Sequence, residues 1–180
     1  LIQNMLDLSK LESGEYQVNA RMFNIWETLT GVALSAEQRI NDGMIDIDGL
    51  TMDEKVLVYA DPDLIHQVAY NLLDNAIEAC EKLEKQQRRM TVKAIYNKSD
   101  NPPTLFFSVK NASKPVKIFG DHIPTTKPEP ELHGFGLPNV MDILHKYDVF
   151  YLMDYKDGSF LFCLEWADAA NEKAVAAAQK

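Results

Sequence analysis

Apolar residues recur with a helical period in four stretches of the chain. The first carries Leu1, Ile2, Met5, Leu8 and Leu11 with polar residues between, and Ser13-Gly14 closes it. The second starts after Asn24, a candidate N-cap. It sets Ile25, Leu29, Val32, Ala33, Ala36 and Ile40 on one face and ends near Asp42-Gly43. The third runs from about Pro62 to Lys85, with Asp61 as cap and Pro62 at the first helical position. The charged stretch from Glu81 to Arg89 reads as its solvated end. The fourth follows His133-Gly-Phe-Gly-Leu137 and reaches about Tyr147.

Strand patterns fill the spaces between these helices. Val18 to Phe23 is the weakest of them, and Met44 to Ile47 and Val56 to Ala60 read as short strands joined by a polar turn. Met90 to Tyr96 and Thr104 to Lys110 read as a hairpin around a turn rich in Asn, Ser, Asp and Pro. Val149 to Asp154 and Phe160 to Trp166 read as a second hairpin, around Lys156-Asp157-Gly158-Ser159. Asn111 to His133 is a long proline-bearing loop, a length that in compact domains goes with function or mobility. This order predicts an α/β (α+β) two-layer sandwich, with a mixed sheet covered on one face by three helices. The first helical stub stands apart from it.

Composition narrows the function more than the fold. The 180 residues are enough for one sizeable core, and 46% apolar with 25% charged residues is ordinary for a globular chain. A formal net charge of −9 disfavours nucleic acid as a partner. Cys80 and Cys163 fall in a helix and a strand, so they read as core residues rather than a disulfide framework or a metal site. No apolar run reaches the length of a membrane-spanning helix. The first residue, Leu1, is not Met, which suggests an excised fragment.

The candidate chemistry lies on the third helix, in Asn71-Leu-Leu-Asp-Asn75-Ala-Ile-Glu78-Ala. Asn71, Asn75 and Glu78 share one edge at spacings of four and three. Val68, Leu72, Ala76 and Leu83 run beside that edge, with Leu73, Ile77 and Cys80 further round. Amides bordering an apolar face need partners. They are either two satisfied structural amides or neutral oxygen ligands for Mg²⁺ beside phosphate oxygens.

Four blocks, in order, resemble the ATP-binding catalytic domain of sensor histidine kinases in the GHKL ATPase superfamily. Asn71-Leu-Leu-Asp-Asn75-Ala-Ile-Glu-Ala resembles the N box, and His133-Gly134-Phe-Gly136-Leu137 resembles the second glycine box that opens a helix. Asp157-Gly158-Ser159-Phe160 resembles the turn near the adenine pocket. Leu6-Asp-Leu-Ser-Lys-Leu-Glu-Ser-Gly14 resembles the end of the dimerisation and histidine-phosphotransfer domain. The resemblance divides the chain into 1–14, the end of that phosphotransfer helix; 15–166, the ATP-binding domain; and 167–180, an Ala-rich tail with little expected function.

The resemblance implies ATP and Mg²⁺ as ligands. Asn75 matches the metal ligand, and Asn71 the polar position one turn earlier. Gly134 and Gly136 match glycines that let backbone N–H groups approach phosphate at a helix start, with Leu137 beside them. Thr126 and Lys127, in the Thr-Thr-Lys triplet, resemble the lid of short-lid members, where the lysine neutralises the γ-phosphate. Ser159 matches a hydroxyl near the adenine, and Glu78 is expected at the rim.

One block departs from the family pattern. The usual Asp-x-Gly-x-Gly is replaced by Asn111-Ala112-Ser113, so an uncharged oxygen would accept from the adenine amine, at roughly half the strength. Together with the Thr-Thr-Lys triplet and His145-Lys-Tyr147, this resembles the quorum-peptide-sensor subgroup.

Hydrolases of the superfamily carry a general-base Glu where this chain has Asn71, and an amide cannot take that proton at neutral pH. The resemblance therefore implies phosphoryl transfer to a His on the phosphotransfer domain, followed by relay to a response regulator receiver domain. It also implies a homodimeric, membrane-anchored parent with this domain in the cytoplasm. None of His66, His122, His133 or His145 lies in the helical stub, so the fragment is expected to bind ATP without autophosphorylating. Two alternatives stand beside this: a degenerate scaffold domain, and a serine kinase of the anti-sigma-factor type. The Leu1–Gly14 stub argues against the second.

Overall fold

The computed structural model describes residues 18–48, 55–120, 123 and 136–167. The elements run β1 (Arg21–Asn24), α1 (Ile25–Asp42), β2 (Asp46–Asp48), β3 (Leu57–Ala60), α2 (Pro62–Glu81), β4 (Arg89–Asn97), β5 (Thr104–Ala112), α3 (Gly136–Lys146), β6 (Phe150–Lys156) and β7 (Ser159–Ala167). A five-stranded sheet in the order β2-β4-β5-β7-β6 carries the fold, and β1 and β3 form a separate antiparallel pair. The large sheet is mixed, because β2 joins β4 in parallel while the other neighbours are antiparallel. The expected helix-and-sheet sandwich is therefore present.

Alternation along the strands decides which face the helices cover. Met90 and Val92 of β4, Leu105, Phe107 and Val109 of β5, and Phe162, Leu164 and Trp166 of β7 are buried. They join Leu29 and Val32 of α1, Leu72 and Ile77 of α2, and Val140 and Ile143 of α3 in one core. The β6–β7 hairpin turns through Asp157 (φ 50°) and Gly158 (φ 74°), the positive-φ pair of a type I′ turn.

Five local expectations change. The first strand starts at Arg21, three residues later than its pattern suggested. The short strands on either side of residues 49–54 do not pair with each other, since β2 joins β4 and β3 joins β1. The third helix stops at Glu81, followed by a 3₁₀ turn at Lys85–Gln87. Arg88, expected as a solvated charge, is half-buried. It donates from Nε to Leu83 O (3.0 Å), from Nη1 to Gly43 O (2.6 Å) and from Nη2 to Glu81 O (3.1 Å). The helix-terminal carbonyls thus found a donor within the fold. Finally β5 continues through Ala112, so Asn111 sits in the sheet rather than opening the loop. The Leu1–Gly14 stub, the Thr-Thr-Lys triplet and the tail beyond Ala167 lie outside the described residues.

α2 is clamped at its start. Asp61 caps it, its Oδ1 accepting from Asp63 N (3.0 Å) and Leu64 N (3.4 Å), while Oδ2 accepts from Asn19 N (2.8 Å). The Asp61 N–H donates to the Tyr147 hydroxyl just beyond α3 (3.0 Å). Arg39 of α1 pairs with Asp74 and Glu81 on the outer side of α2, an exposed contact of small energetic value.

Replacing Asp61 with Ala removes the cap and leaves buried N–H groups unpaired. Urea unfolding should show a loss of about 1–2 kcal/mol. An unchanged midpoint would mean that the cap does not hold α2.

Candidate functional site

The amide edge of α2 faces the start of α3. Asn71 is buried, 6% exposed, and its Nδ2 has no hydrogen-bond partner. Asn75, one turn on, is half-buried. A Cβ built on Gly136 would lie 3.0 Å from Asn75 Nδ2, so the opening residue of α3 approaches that amide closely because it has no side chain. The fold thus brings Asn75 against Gly136, two residues that lie in separate blocks of the sequence. α3 has eleven residues, and its first backbone N–H groups have no partner within the helix. The edge therefore joins two neutral amides to a helix N-terminus.

A second set of polar groups lies at the end of β5. Asn111 is 3% exposed, alternates in phase with Leu105, Phe107 and Val109, and so points to the helix-covered face. Its Nδ2 donates to Ala112 O (3.0 Å), which leaves the amide oxygen as the acceptor. Ala112 pairs in register with Ser159 of β7, and Ser113 N donates to Gly158 O (3.0 Å). The β6–β7 turn is thus fastened beside Asn111.

Cys80 connects the two sets. It lies on α2 five residues after Asn75, and its thiol approaches Arg89 O (3.5 Å) and Ala112 O (3.7 Å). Burial pushes the thiol above its ordinary pKa, so it remains a neutral donor rather than a nucleophile. Both cysteines are free; Cys80 is buried in the core, whereas Cys163 of β7, read from the sequence as a core residue, is only half-buried.

Asn71, Asn75, Gly136, Asn111 and Ser159 therefore come from α2, α3, β5 and β7. Leu137 is half-buried and packs against the core. Thr126, Lys127 and Gly134 lie outside the described residues. Glu78 is half-buried, His66 is exposed and stacks on Tyr70, and His145 sits 3.3 Å from the Tyr151 hydroxyl.

Two buried polar residues escaped the sequence reading. Ser113, 8% exposed, has an unpartnered Oγ, and Asn139 of α3, 2% exposed, has an unpartnered Oδ1. Ser113 stands where the family pattern has its first glycine. Asn139 follows Gly136 by three residues, a helical spacing that marks it. An apolar cleft among Ile65, Val68, Leu144 and Trp166 is separate from these groups.

The GHKL domain model matches residues 62–166, more than half of the chain and all but one of the elements just described from α2 onward in full. The chain belongs to the GHKL domain family. Hybrid signal transduction histidine kinase D of Dictyostelium discoideum is 30% identical over 78 residues, which is 43% of this chain and 5% of that protein. The chain thus spans a small fraction of that curated relative.

Among solved structures, the histidine kinase AdeS of Acinetobacter baumannii superposes with a TM-score of 0.71 at 17% identity, over 94% of this chain and 77% of that one. The histidine kinase ThkA, solved in complex with the response regulator protein TrrA, gives a TM-score of 0.63 at 22% identity, over 95% of this chain and 50% of that one. The fold of this GHKL domain is that of histidine kinase catalytic domains.

Substituting Gly136 with Ala brings a methyl group against the Asn75 amide. The Asn75 side chain must turn away, and nucleotide affinity should fall about tenfold while the melting temperature changes little. Calorimetric titration beside a thermal melt separates the two effects. Unaltered affinity would mean that Asn75 does not act at this approach.

Proposed function

We propose that this GHKL domain binds ATP with Mg²⁺ and is the catalytic domain of a two-component sensor histidine kinase. In this reading it transfers the γ-phosphoryl group to a His on a dimerisation and phosphotransfer domain. The observation that carries the reading is the Asn71–Asn75 edge, buried at Asn71, whose Asn75 meets the glycine-opened start of α3.

The residues fit the group they would hold. Magnesium keeps several waters and takes few protein ligands when phosphates supply the rest, so one amide oxygen from Asn75 suffices. When bound, the ion would neutralise charge on the triphosphate.

The chain's own residues then do the positioning. N–H groups at the start of α3 face the phosphates, Asn71 holds the edge beside Asn75, and the Asn111 oxygen accepts from the adenine amine. Ser159 and the turn before it border the base. Lys127 and Thr126 would complete the phosphate end, with Gly134 at the entry to α3. Asn71 offers no general base for water, which favours transfer to a side chain over hydrolysis.

The complex of ThkA with TrrA supports a response regulator receiver domain as the relay partner. Placement in the cytoplasm of a membrane-anchored, homodimeric parent belongs to the same reading. Among the described residues no helix is long and apolar enough to cross a membrane.

Titration of the chain with a non-hydrolysable ATP analogue tests the site. Binding should be saturable and strengthened by Mg²⁺, and Asn75→Ala should lower the Mg²⁺-dependent affinity 10–100-fold, roughly what loss of a metal-site partner costs. No binding at millimolar nucleotide would overturn the reading in favour of a non-catalytic scaffold domain.

Restoring a carboxylate at the base end gives a second test. Asn111→Asp should tighten adenine nucleotides about fivefold, since a charged acceptor adds about 1 kcal/mol over a neutral one. GTP affinity should stay unchanged. Equal gains for both nucleotides would remove Asn111 from base recognition.

A further inference from the structure

Two of the buried orphan atoms are chemically complementary. Asn71 Nδ2 is a donor without an acceptor, and Asn139 Oδ1 is an acceptor without a donor. Both residues are more than nine-tenths buried, at 6% and 2% exposure.

Their positions along the helices match. α2 and α3 pack against each other. The contact of Gly136 with Asn75 fixes one level, and the bond from Asp61 N to Tyr147 Oη fixes another, so the two helices run antiparallel. From Gly136, Asn139 lies three residues further along α3, about 4.5 Å, on the same face. From Asn75, Asn71 lies four residues back along α2, about 6 Å, on the same edge. Antiparallel packing turns both steps in one direction, and Asn139 comes opposite Asn71. No direct hydrogen bond joins the two atoms. A water between them would accept from Nδ2–H and donate to Oδ1, as buried waters do for unpaired groups.

We propose that Asn139 is a positioning residue of the nucleotide site, holding the Asn71 amide through a bridging buried water so that Asn71 keeps one rotamer beside Asn75. Asn139 touches neither nucleotide nor metal. It acts through Asn71, as outer partners of metal ligands act through the ligands they orient. The role assigned to Asn71 rests on the nucleotide reading above. The amide pair itself does not.

The experiment has a ligand-free arm and a ligand-bound arm, both on the 180-residue chain. In the unliganded protein, the side-chain NH₂ signals of Asn71 in a ¹⁵N-correlated NMR spectrum should move in Asn139→Leu and stay near their wild-type place in Asn139→Asp, which retains the oxygen. Unmoved signals in Asn139→Leu overturn the pairing, whatever the chain binds.

In the liganded arm, Asn139→Leu should bind Mg²⁺ with the non-hydrolysable ATP analogue about tenfold more weakly. Its affinity for the analogue without Mg²⁺ should stay within about twofold of wild type, and Asn139→Asp should restore the Mg²⁺-dependent affinity. Equal losses with and without Mg²⁺ would show a packing role and overturn the proposal. Should Asn139→Leu fail to fold, Asn139→Asp against Asn139→Ser, a shorter side chain, carries the same comparison. Absence of nucleotide binding by the wild-type chain, with the NMR shift present, would overturn the nucleotide reading and the positioning role while leaving the amide pair in place.

Discussion

The packing of α2 against the sheet, α1 and α3 is the constraint on which the site depends. One side of this helix is apolar and sinks into the core through Leu72, Leu73, Ala76 and Ile77. The edge beside it carries amides that the core cannot satisfy. Burial of the first forces burial of the second, because both belong to one rigid helix. The polar edge is therefore held in place by hydrophobic contacts that do not involve it, which is how a site is preorganised at modest cost.

The two ends of α2 are fixed by different means. At its start, Asp61 gathers backbone N–H groups, and the Tyr147 hydroxyl accepts from Asp61 N, tying the helix to the far end of α3. Burial pushes the Tyr147 hydroxyl above its ordinary pKa, so it stays protonated through the physiological range. Towards its C-terminal half, Cys80 meets Ala112 O and Arg88 gathers carbonyls from α2's last residue, the turn beyond it and the end of α1. These contacts bring the end of β5, and so Asn111, to the helix that carries Asn75. The Asn75 edge and the Asn111 end of β5 are parts of one packed unit.

Much of this was legible in the chain. Helical periodicity placed α1, α2 and α3, alternation placed β4 to β7, and Asp61-Pro62 marked the start of α2 to the residue. Local signals sufficed there because each element's capping and patterning agree with the packing it enters. Strand partnership was less legible. β2 and β3 are neighbours in sequence yet belong to different sheets, since parallel pairing with β4 is a long-range choice that no local pattern records. Arg88 read as a solvated charge because its shortest bond, to Gly43 O (2.6 Å), reaches far back in the chain to the end of α1.

For the site, the sequence by itself determined which residue types stand where: the Asn71–Asn75 edge, the glycine at 136, and Asn111 in place of a carboxylate. These are local facts of spacing and identity. The tertiary structure alone decided which polar atoms are left unpaired. Ser113 and Asn139 look unremarkable in the chain, and even at Asn71 it is burial that turns an unpaired side-chain atom into a cost that calls for a partner. Burial is a property of the packed whole, summed over α2, α3 and the sheet, and for that reason it could not be read from any one segment.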